Sequence, residues 1–274
     1  MNVSFIQPEQ QLSAYVACIW VFESRLGIPI ADSRIIVPDG RARIIVPYRN
    51  AVCAAVNNRL LNAKEQHIFL VGIQSGPVTI GSTATETGTI GVELTPKGLY
   101  HFFHLSMHEI TNRLVSFEEV FGLWGARLQQ KVGDAPDLKA KIELLQAALT
   151  RLLQQNEKEY ALLDYTLDLL AQTHGMIRIQ GLEAQIGYTR RYLDRLFQEH
   201  VGVSPKSLAR IMRFQQVYQL WMQQASSTFL REHWPAYYYD QSHFIKEFKH
   251  FTGFAPQKYQ EIVNEFGRAF STRE

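Results

Sequence analysis

The C-terminal part of the chain contains one spaced pattern twice, and every element of the second copy lies 51 residues after its counterpart. The copies read Leu193-x3-Phe197-x4-Gly202-x2-Pro205 and Phe244-x3-Phe248-x4-Gly253-x2-Pro256. Apolar residues four positions apart hold one face of a helix against a core. The glycine ends that helix in a left-handed conformation, and the proline begins the next helix in its first turn. The repeat therefore predicts helix, sharp turn and helix, twice.

A shorter helix precedes each repeated helix, so each copy predicts a helix-turn-helix unit. Thr189 and Asp240 are good N-caps for the second helix of each unit. That second helix has the dimensions of one that enters the major groove of DNA. A long apolar helix would join the units as a rigid spacer. In chain order the predicted helices are Ile179–Ile186, Arg190–Glu199, Pro205–Gln223, Thr228–Trp234 and Gln241–His250.

The charge distribution also points to a polyanionic partner for this region. From Met1 to Thr150, 13 Lys and Arg residues balance 13 Asp and Glu residues. From Thr173 to Lys258 there are 11 basic and 6 acidic residues, a net charge of +5, together with five of the nine histidines. A basic region of this size suits nucleic acid, although a mixed solvated surface gives similar counts.

The region from about Leu162 to Ile262 resembles the DNA-binding domain of AraC-type transcription regulators. The segments that carry the resemblance are Gly187–Phe197 for the first recognition element, Arg210–Phe214 for the linker helix, and Tyr239–Phe248 with Gly253 and Pro256 for the second signature. The resemblance implies a cytoplasmic, bacterial-type transcription regulator, an activator or a repressor, that binds double-stranded promoter DNA, with RNA polymerase as a further partner.

The N-terminal half more loosely resembles the ligand-sensing domains that precede this module in the family, through Pro38-Asp39-Gly40, Val71-Gly72 and Gly91–Phe103. This resemblance implies an unknown small-molecule effector and a homodimer. One alternative is a constitutive DNA-binding regulator whose N-terminal half only dimerises. Another is a metal-dependent enzyme fused to a DNA-binding module, although His67 is the only histidine among the predicted strands.

The resemblance assigns roles to outward positions on both second helices and on the spacer. Arginine pairs bidentately with guanine and glutamine with adenine, whereas phosphate contacts position the protein without specifying sequence. The base-contact candidates are Arg190, Arg191, Asp194, Arg195, Gln241, Ser242, Ile245 and Lys246. The phosphate-contact candidates are Lys206, Arg210, Arg213 and Lys249. His243 matches a signature position, and we expect it to make a structural hydrogen bond.

Three residues depart from the family pattern. Glu183 stands where the family has a small residue, and Tyr237 occupies the turn-glycine position of the second unit, just after Pro235. Proline should shorten the preceding helix, and a bulky residue at positive φ is unfavourable. We therefore expect a distorted second turn and a first unit that carries most of the base reading.

The first hundred residues are rich in predicted strands. Apolar and β-branched runs separated by turn residues indicate a small barrel or sandwich. From Thr95-Pro96 the pattern becomes helical, with capping boxes at Ser106-x-x-Glu109 and Ser116-x-x-Glu119. The fold class is therefore α+β: a small N-terminal β-barrel or sandwich with short helices, then an all-α domain. The predicted strands are Ala17–Phe22, Arg34–Val37, Ala42–Val46, Ile68–Ile73, Pro77–Ile80 and Thr89–Leu94.

We divide the chain into a β-rich sensing domain (1–125), a helical connector (126–160), the double helix-turn-helix domain (161–266) and a tail (267–274). The connector is predicted as one helix from Asp134 to Asn156. Its apolar residues recur at spacings of 4, 3, 4 and 3, which fits either a seam between two copies or a face docked on the chain's own domain. The candidate seam residues are Leu138, Ile142, Leu145, Leu149 and Leu152.

Other chemistry finds little support in the sequence. His101, His104 and His108 have helical metal-site spacing, but the capping box at Ser106 should interrupt the helix, so we expect no metal and no cofactor. No nucleotide-binding glycine motif or serine elbow is present, so we expect no enzyme activity. The apolar runs are too short to span a membrane, and Met1–Ile30 does not read as a secretory signal.

Two smaller features receive structural interpretations. Cys18 and Cys53 are too few for a disulfide framework, and we expect structural thiols rather than redox sensors. Pro38-Asp39-Gly40 is interpreted as a turn rather than as the mouth of a ligand pocket.

Overall fold

The computed structural model describes residues 2–25, 34–56, 59–156, 158–224 and 234–262. Two antiparallel sheets and a helical C-terminal region make up these residues, which confirms the α+β prediction. The strands are β1 (Asn2–Ile6), β2 (Val16–Ser24), β3 (Arg34–Ile36), β4 (Ala42–Arg49), β5 (Val52–Val56), β6 (Arg59–Ala63), β7 (Phe69–Val71), β8 (Val78–Gly81), β9 (Thr87–Leu94) and β10 (Leu114–Ser116).

The six-stranded sheet has the order β1-β2-β9-β4-β7-β10, and the four-stranded sheet has the order β3-β8-β5-β6. All six predicted strands are present with shifted ends, and β1, β5, β6 and β10 were not predicted. β5 escaped prediction because its sequence, VCAAV, contains alanines, which are depleted in strands. Its place is fixed by pairing with β6 on one side and β8 on the other.

Strand β2 separates two cores because successive side chains point to opposite faces of a sheet. Ile19 and Val21 belong to the large core, which continues into the helices. Cys18, Trp20 and Phe22 point the other way and pack between the sheets. The six-stranded sheet is thus buried on both faces here, and β9 is buried along its whole length.

The helices are α1 (Pro96–Phe102), α2 (Phe117–Phe121), α3 (Leu123–Asp134), α4 (Leu138–Gln154), α5 (Ala161–Gln172), α6 (Ile179–Ile186), α7 (Arg190–His200), α8 (Pro205–Gln224), α9 (Gln241–Thr252) and α10 (Pro256–Ile262). Thr95 caps α1, and the capping box between Ser116 and Glu119 is present at the start of α2. The box predicted at Ser106 is wrong: a 3-10 turn begins there, and the Ser106 hydroxyl contacts His108 and Glu199 instead.

The predicted connector helix is present as α4 with shifted ends, since Asp137 caps it and it ends at Gln154; a separate helix, α3, ends at Asp134 just before it. The apolar face of α4 lies against the chain's own domain, which is the second of the two arrangements that its spacing fits. Ile142, Leu145 and Leu149 are buried in the chain's own core, and Leu138 and Leu152 pack against that core from its edge. A side chain already buried within its own domain is not free to pack against a second copy.

Among the described residues, no helix is long and apolar enough to cross a membrane.

Candidate nucleic-acid interface

The first helix-turn-helix unit consists of α6, a three-residue turn and α7. Gly187 is left-handed at φ 77° and ends α6, and Thr189 caps α7 through the backbone N–H of Tyr192. Glu183, the predicted departure from the family pattern, has a local role here. Its carboxylate accepts a hydrogen bond from the backbone N–H of Arg190, so it joins the end of α6 to the start of α7.

The base-contact candidates on α7 lie on its outer face. Leu193 and Phe197 are buried, whereas Arg190, Arg191 and Arg195 are exposed. Arg190 Nε lies 3.4 Å from Asp194 Oδ2, an exposed pair one helical turn apart. The Arg195 guanidinium lies over the ring of Tyr192, 5.5 Å from its centre. The first half of the helix therefore presents three guanidinium groups and one carboxylate.

The second unit has its recognition helix, α9, but the turn that precedes it differs from the turn of the first unit. Pro235 lies in a 3-10 turn at Trp234–Ala236, and the N–H groups of Tyr237 and Tyr238 both donate to the Trp234 carbonyl. Tyr237 does not have a positive φ, so the expected strain is absent at this residue. The helix predicted at Thr228–Trp234 falls mostly on residues outside the described ranges.

The base-contact candidates on α9 are likewise exposed. Asp240 caps the helix through the backbone N–H of His243. Phe244 and Phe248 are buried, and the side chains that face outward are Gln241, Ser242, Ile245 and Lys246. The ring of His243 makes an edge contact with Tyr238. Both second helices thus have an inner apolar face and an outer polar face at equivalent repeat positions.

Two of the four phosphate-contact candidates are engaged inside the protein. Glu247 of α9 is buried, and Arg210 of α8 donates to both of its carboxylate oxygens, with Nε 3.1 Å from Oε2. Arg213 Nη2 lies 4.0 Å from the same carboxylate, and its guanidinium lies over the ring of Tyr238. The hydrogen bonds and the charge of Glu247 raise the pKa of Arg210. This ion-pair cluster, which we call the α8–α9 clamp, fixes the second unit against the spacer. Lys206 and Lys249 are exposed.

Sequence reasoning missed a pair of exposed tyrosines. Tyr188 and Tyr239 lie 51 residues apart, each directly before the N-cap of a recognition helix. Tyr188 is 46% exposed and stacks on Tyr192, and Tyr239 is 96% exposed. The repeat spacing could have revealed them, since an aromatic residue stands at the same place in both copies.

The C-terminal ends of the two recognition helices, α7 and α9, face the β-rich half, and we call the region where the β-rich half meets the helical domain the junction. Gly202, after α7, accepts a hydrogen bond at its carbonyl from the Thr111 hydroxyl at 2.7 Å. A Cβ atom added to Gly202 would lie 2.8 Å from the Met107 carbonyl oxygen, whereas one added to Gly253, after α9, would meet only Pro77 at 3.7 Å. The N-terminal ends, which carry the base-contact candidates, point away from this junction.

The Pro38-Asp39-Gly40 segment is a turn, and it is also part of the junction. Gly40 has a φ of 76°, and a Cβ there would lie 2.9 Å from Leu208 of α8. The Pro38 carbonyl accepts a buried hydrogen bond from the side-chain amide of Gln215, also on α8. The spacer helix therefore contacts both the recognition helices and the β-rich half.

Charged residues between the sheets hold this turn. Asp39 pairs with Arg43, and Arg43 Nε lies 3.3 Å from the fully buried Glu93. Arg41 Nη1 lies 3.1 Å from the other oxygen of Glu93. Burial works against the Arg43 charge, but Asp39 and Glu93 together raise its pKa above the ordinary value. The interior of the β-rich half is thus connected to α8 by a chain of ion pairs and one hydrogen bond.

A second contact across the junction is aromatic. Tyr100 of α1 packs with Tyr160 and with His200 at the end of α7, and His101 packs with Tyr160. Tyr100 also donates a hydrogen bond to Asp164 of α5. Burial lowers the pKa of both histidines.

The histidines with metal-site spacing and the two cysteines lie in different parts of the structure. Among the described residues, no group of three or more His, Cys, Asp or Glu side chains is arranged to hold a metal ion. His101 packs at the junction, and His108 contacts Ser106. Cys18 is buried with its sulfur 3.6 Å from Glu93, and Cys53 lies against the Gly81 carbonyl.

Comparison with known proteins supplies two family matches. Residues 182–262 match the family described as "Helix-turn-helix domain", and residues 4–116 match "Domain of unknown function (DUF6597)". No curated protein sequence matches the chain.

Solved structures give weaker likenesses. ToxT from Vibrio cholerae strain SCE256 is 11% identical with a TM-score of 0.48, over 94% of this chain and 100% of its own. The AraC-like transcriptional activator CuxR is 12% identical with a TM-score of 0.28, over 83% of this chain and 88% of its own. These TM-scores lie below 0.5, so function follows from the family match and the geometry of the two helices.

Proposed function

We propose that this chain, a DNA-binding transcription regulator of the AraC type by its C-terminal domain, reads promoter DNA with α7 and α9 and is controlled through its β-rich half. The observation that carries the proposal is the pair of exposed recognition faces at equivalent repeat positions on one spacer helix. Two such helices enter successive major-groove segments on one face of DNA, about 34 Å apart.

The base reading is assigned mainly to α7. Arg191 and Arg195 are exposed, and neither forms an ion pair within the described residues. A bidentate arginine–guanine contact discriminates against a wrong base by about 1–3 kcal/mol. On α9, Gln241 suits adenine, and the exposed Ile245 suits a thymine methyl group.

Control by a small molecule or another signal is the finer part of the proposal. The β-rich half contacts the spacer helix α8 through a buried hydrogen bond and through the tightly packed turn at Gly40. A ligand bound between the two sheets could therefore alter the position of α8 through these contacts. A ligand that favoured one arrangement of this junction would shift the population of DNA-binding states. A constitutive regulator would show no such dependence.

Selection from a random DNA library tests the base reading. The wild-type protein should enrich a motif, and Arg191→Ala/Arg195→Ala should bind that motif at least tenfold more weakly with a relaxed preference. Arg127→Ala/Arg151→Ala, which removes two exposed arginines from α3 and α4, is the charge-matched control and should leave the motif unchanged. Unchanged selection by the α7 variant would refute the assignment of this helix.

A thermal-shift screen against small metabolites tests the control. A ligand that binds only the folded protein raises its melting temperature by mass action. The same ligand should then change the affinity for the selected motif. A stabilising ligand without that effect would contradict control through the β-rich half.

A further inference from the structure

A groove of about 530 Å³ lies between the two helix-turn-helix units. Its base is α8, one wall is the segment before α6 of the first unit, and the other is the first half of α9 of the second unit. The charged and titratable side chains that line it are Arg178, Lys206, Arg210, Arg213, His243 and Glu247. Four cations therefore face one carboxylate.

The single carboxylate of the groove, Glu247, already has partners within the protein. Glu247 is held by Arg210 and Arg213 in the α8–α9 clamp, so its carboxylate is not available to the other cations of the groove, and the three charges of the clamp sum to +1. Arg178 and Lys206 are exposed, and within the described residues neither has an ion-pair partner. The groove therefore carries two uncompensated positive charges at its rim.

The position of the groove identifies what passes over it. His243 lies in the first turn of α9, beside the base-contact candidates Gln241 and Ser242. When two recognition helices occupy successive major-groove segments, the minor-groove segment between them lies over the protein surface that separates the units. The groove lies on that surface, so the part of the DNA expected to pass over it is sugar-phosphate backbone.

From this placement, and resting on the proposed function, we infer that Arg178 and Lys206 form an inter-unit phosphate site. They hold the DNA backbone between the two major-groove segments and set the register of both recognition helices. A guanidinium presents a donor fork that matches phosphate oxygens, and lysine acts as a point charge. Lys206 is also a phosphate-contact candidate from the sequence, whereas the candidates Arg210 and Arg213 are paired with Glu247 in the clamp and line the groove.

The salt dependence of binding tests the site. The probe is a fluorescein-labelled duplex of about 30 base pairs carrying the library-selected motif, beside a scrambled duplex of the same composition. Each phosphate contact contributes about 0.9 to the slope of log affinity against log salt. Arg178→Gln/Lys206→Gln should reduce that slope by about 1.8 on both duplexes. Between about 50 and 200 mM salt, the wild-type affinity should then fall about 12-fold more than that of the variant.

The controls separate this inference from the proposed function. Lys64→Gln/Lys139→Gln removes two exposed lysines of the β-rich half and of α4, changes the net charge equally, and should keep the wild-type slope. A wild-type slope in the groove variant, with Arg191→Ala/Arg195→Ala still relaxing the motif, would overturn the inference alone. A loss confined to the selected duplex would overturn it as well, because backbone contacts do not read sequence. A wild-type protein that bound neither duplex would overturn both.

Discussion

Gly202 and Gly253 are the same residue of the repeat, yet the structure predicts different costs for adding one methyl group to each. Both are left-handed, at φ 91° and φ 82°. An alanine there costs about 1–2 kcal/mol, offset by about 0.4–1 kcal/mol from a less flexible unfolded chain. At Gly253 the new Cβ would make only an ordinary contact with Pro77 at 3.7 Å. Gly253→Ala should therefore lower the free energy of unfolding by about 1 kcal/mol.

At Gly202 the same methyl group meets the β-rich half. Its Cβ would lie 2.6 Å from the Thr111 hydroxyl and 2.8 Å from the Met107 carbonyl oxygen, and the latter is backbone that cannot rotate away. Overpacking of this kind costs about 1–3 kcal/mol more, so Gly202→Ala should cost about 2–4 kcal/mol in all.

Urea denaturation of the two variants, followed by circular dichroism, measures the difference. Thermal melting should show the same order, since about 1 kcal/mol corresponds to roughly 2–4 °C for a chain of this size. Gly187→Ala is the matched control, because its φ is 77° and no atom lies within 4 Å of the added Cβ. Equal losses at Gly202 and Gly253 would refute the packing of α7 against the β-rich half.

Three other perturbations check separate parts of the structure. Glu247→Ala leaves the clamp arginines of α8 without their carboxylate and should lower the free energy of unfolding by about 3 kcal/mol. Asp194→Ala, the control, breaks only an exposed pair and should lower it by less than about 1 kcal/mol. Equal urea midpoints for the two variants would contradict the clamp. Burial lowers the pKa of His101 and His200, so the folded protein favours their neutral forms. Their contribution to stability is therefore complete above about pH 6.5, the pKa in the unfolded chain, and is lost as the pH falls below it. The melting temperature should drop between about pH 7.5 and pH 5.5, and it should drop by less in His200→Gln. Leu145→Ala should lower the free energy of unfolding by about 3 kcal/mol without changing the sedimentation coefficient. A variant that dissociated a dimer and kept the wild-type stability would instead favour a seam between two copies on α4.

The sequence by itself determined the local architecture of the C-terminal domain. A left-handed glycine, an N-cap and apolar residues four apart act within one or two helical turns. The 51-residue repeat therefore sufficed to predict α7 and α9, with their caps at Thr189 and Asp240 and their inner and outer faces. The same local chemistry predicted the caps at Thr95 and Ser116.

Only the tertiary structure decided which partner each face and charge would meet. The apolar face of α4 has the same spacing whether it packs on a second copy or on its own core, and the fold chose the core. Arg210 and Lys206 are both cations of one helix, but Glu247, 37 residues after Arg210, pairs with Arg210 and leaves Lys206 free. Such choices depend on segments that folding brings together from distant parts of the chain. For that reason the repeat could indicate two equal units, while the contacts of Gly202 with the β-rich half made them different.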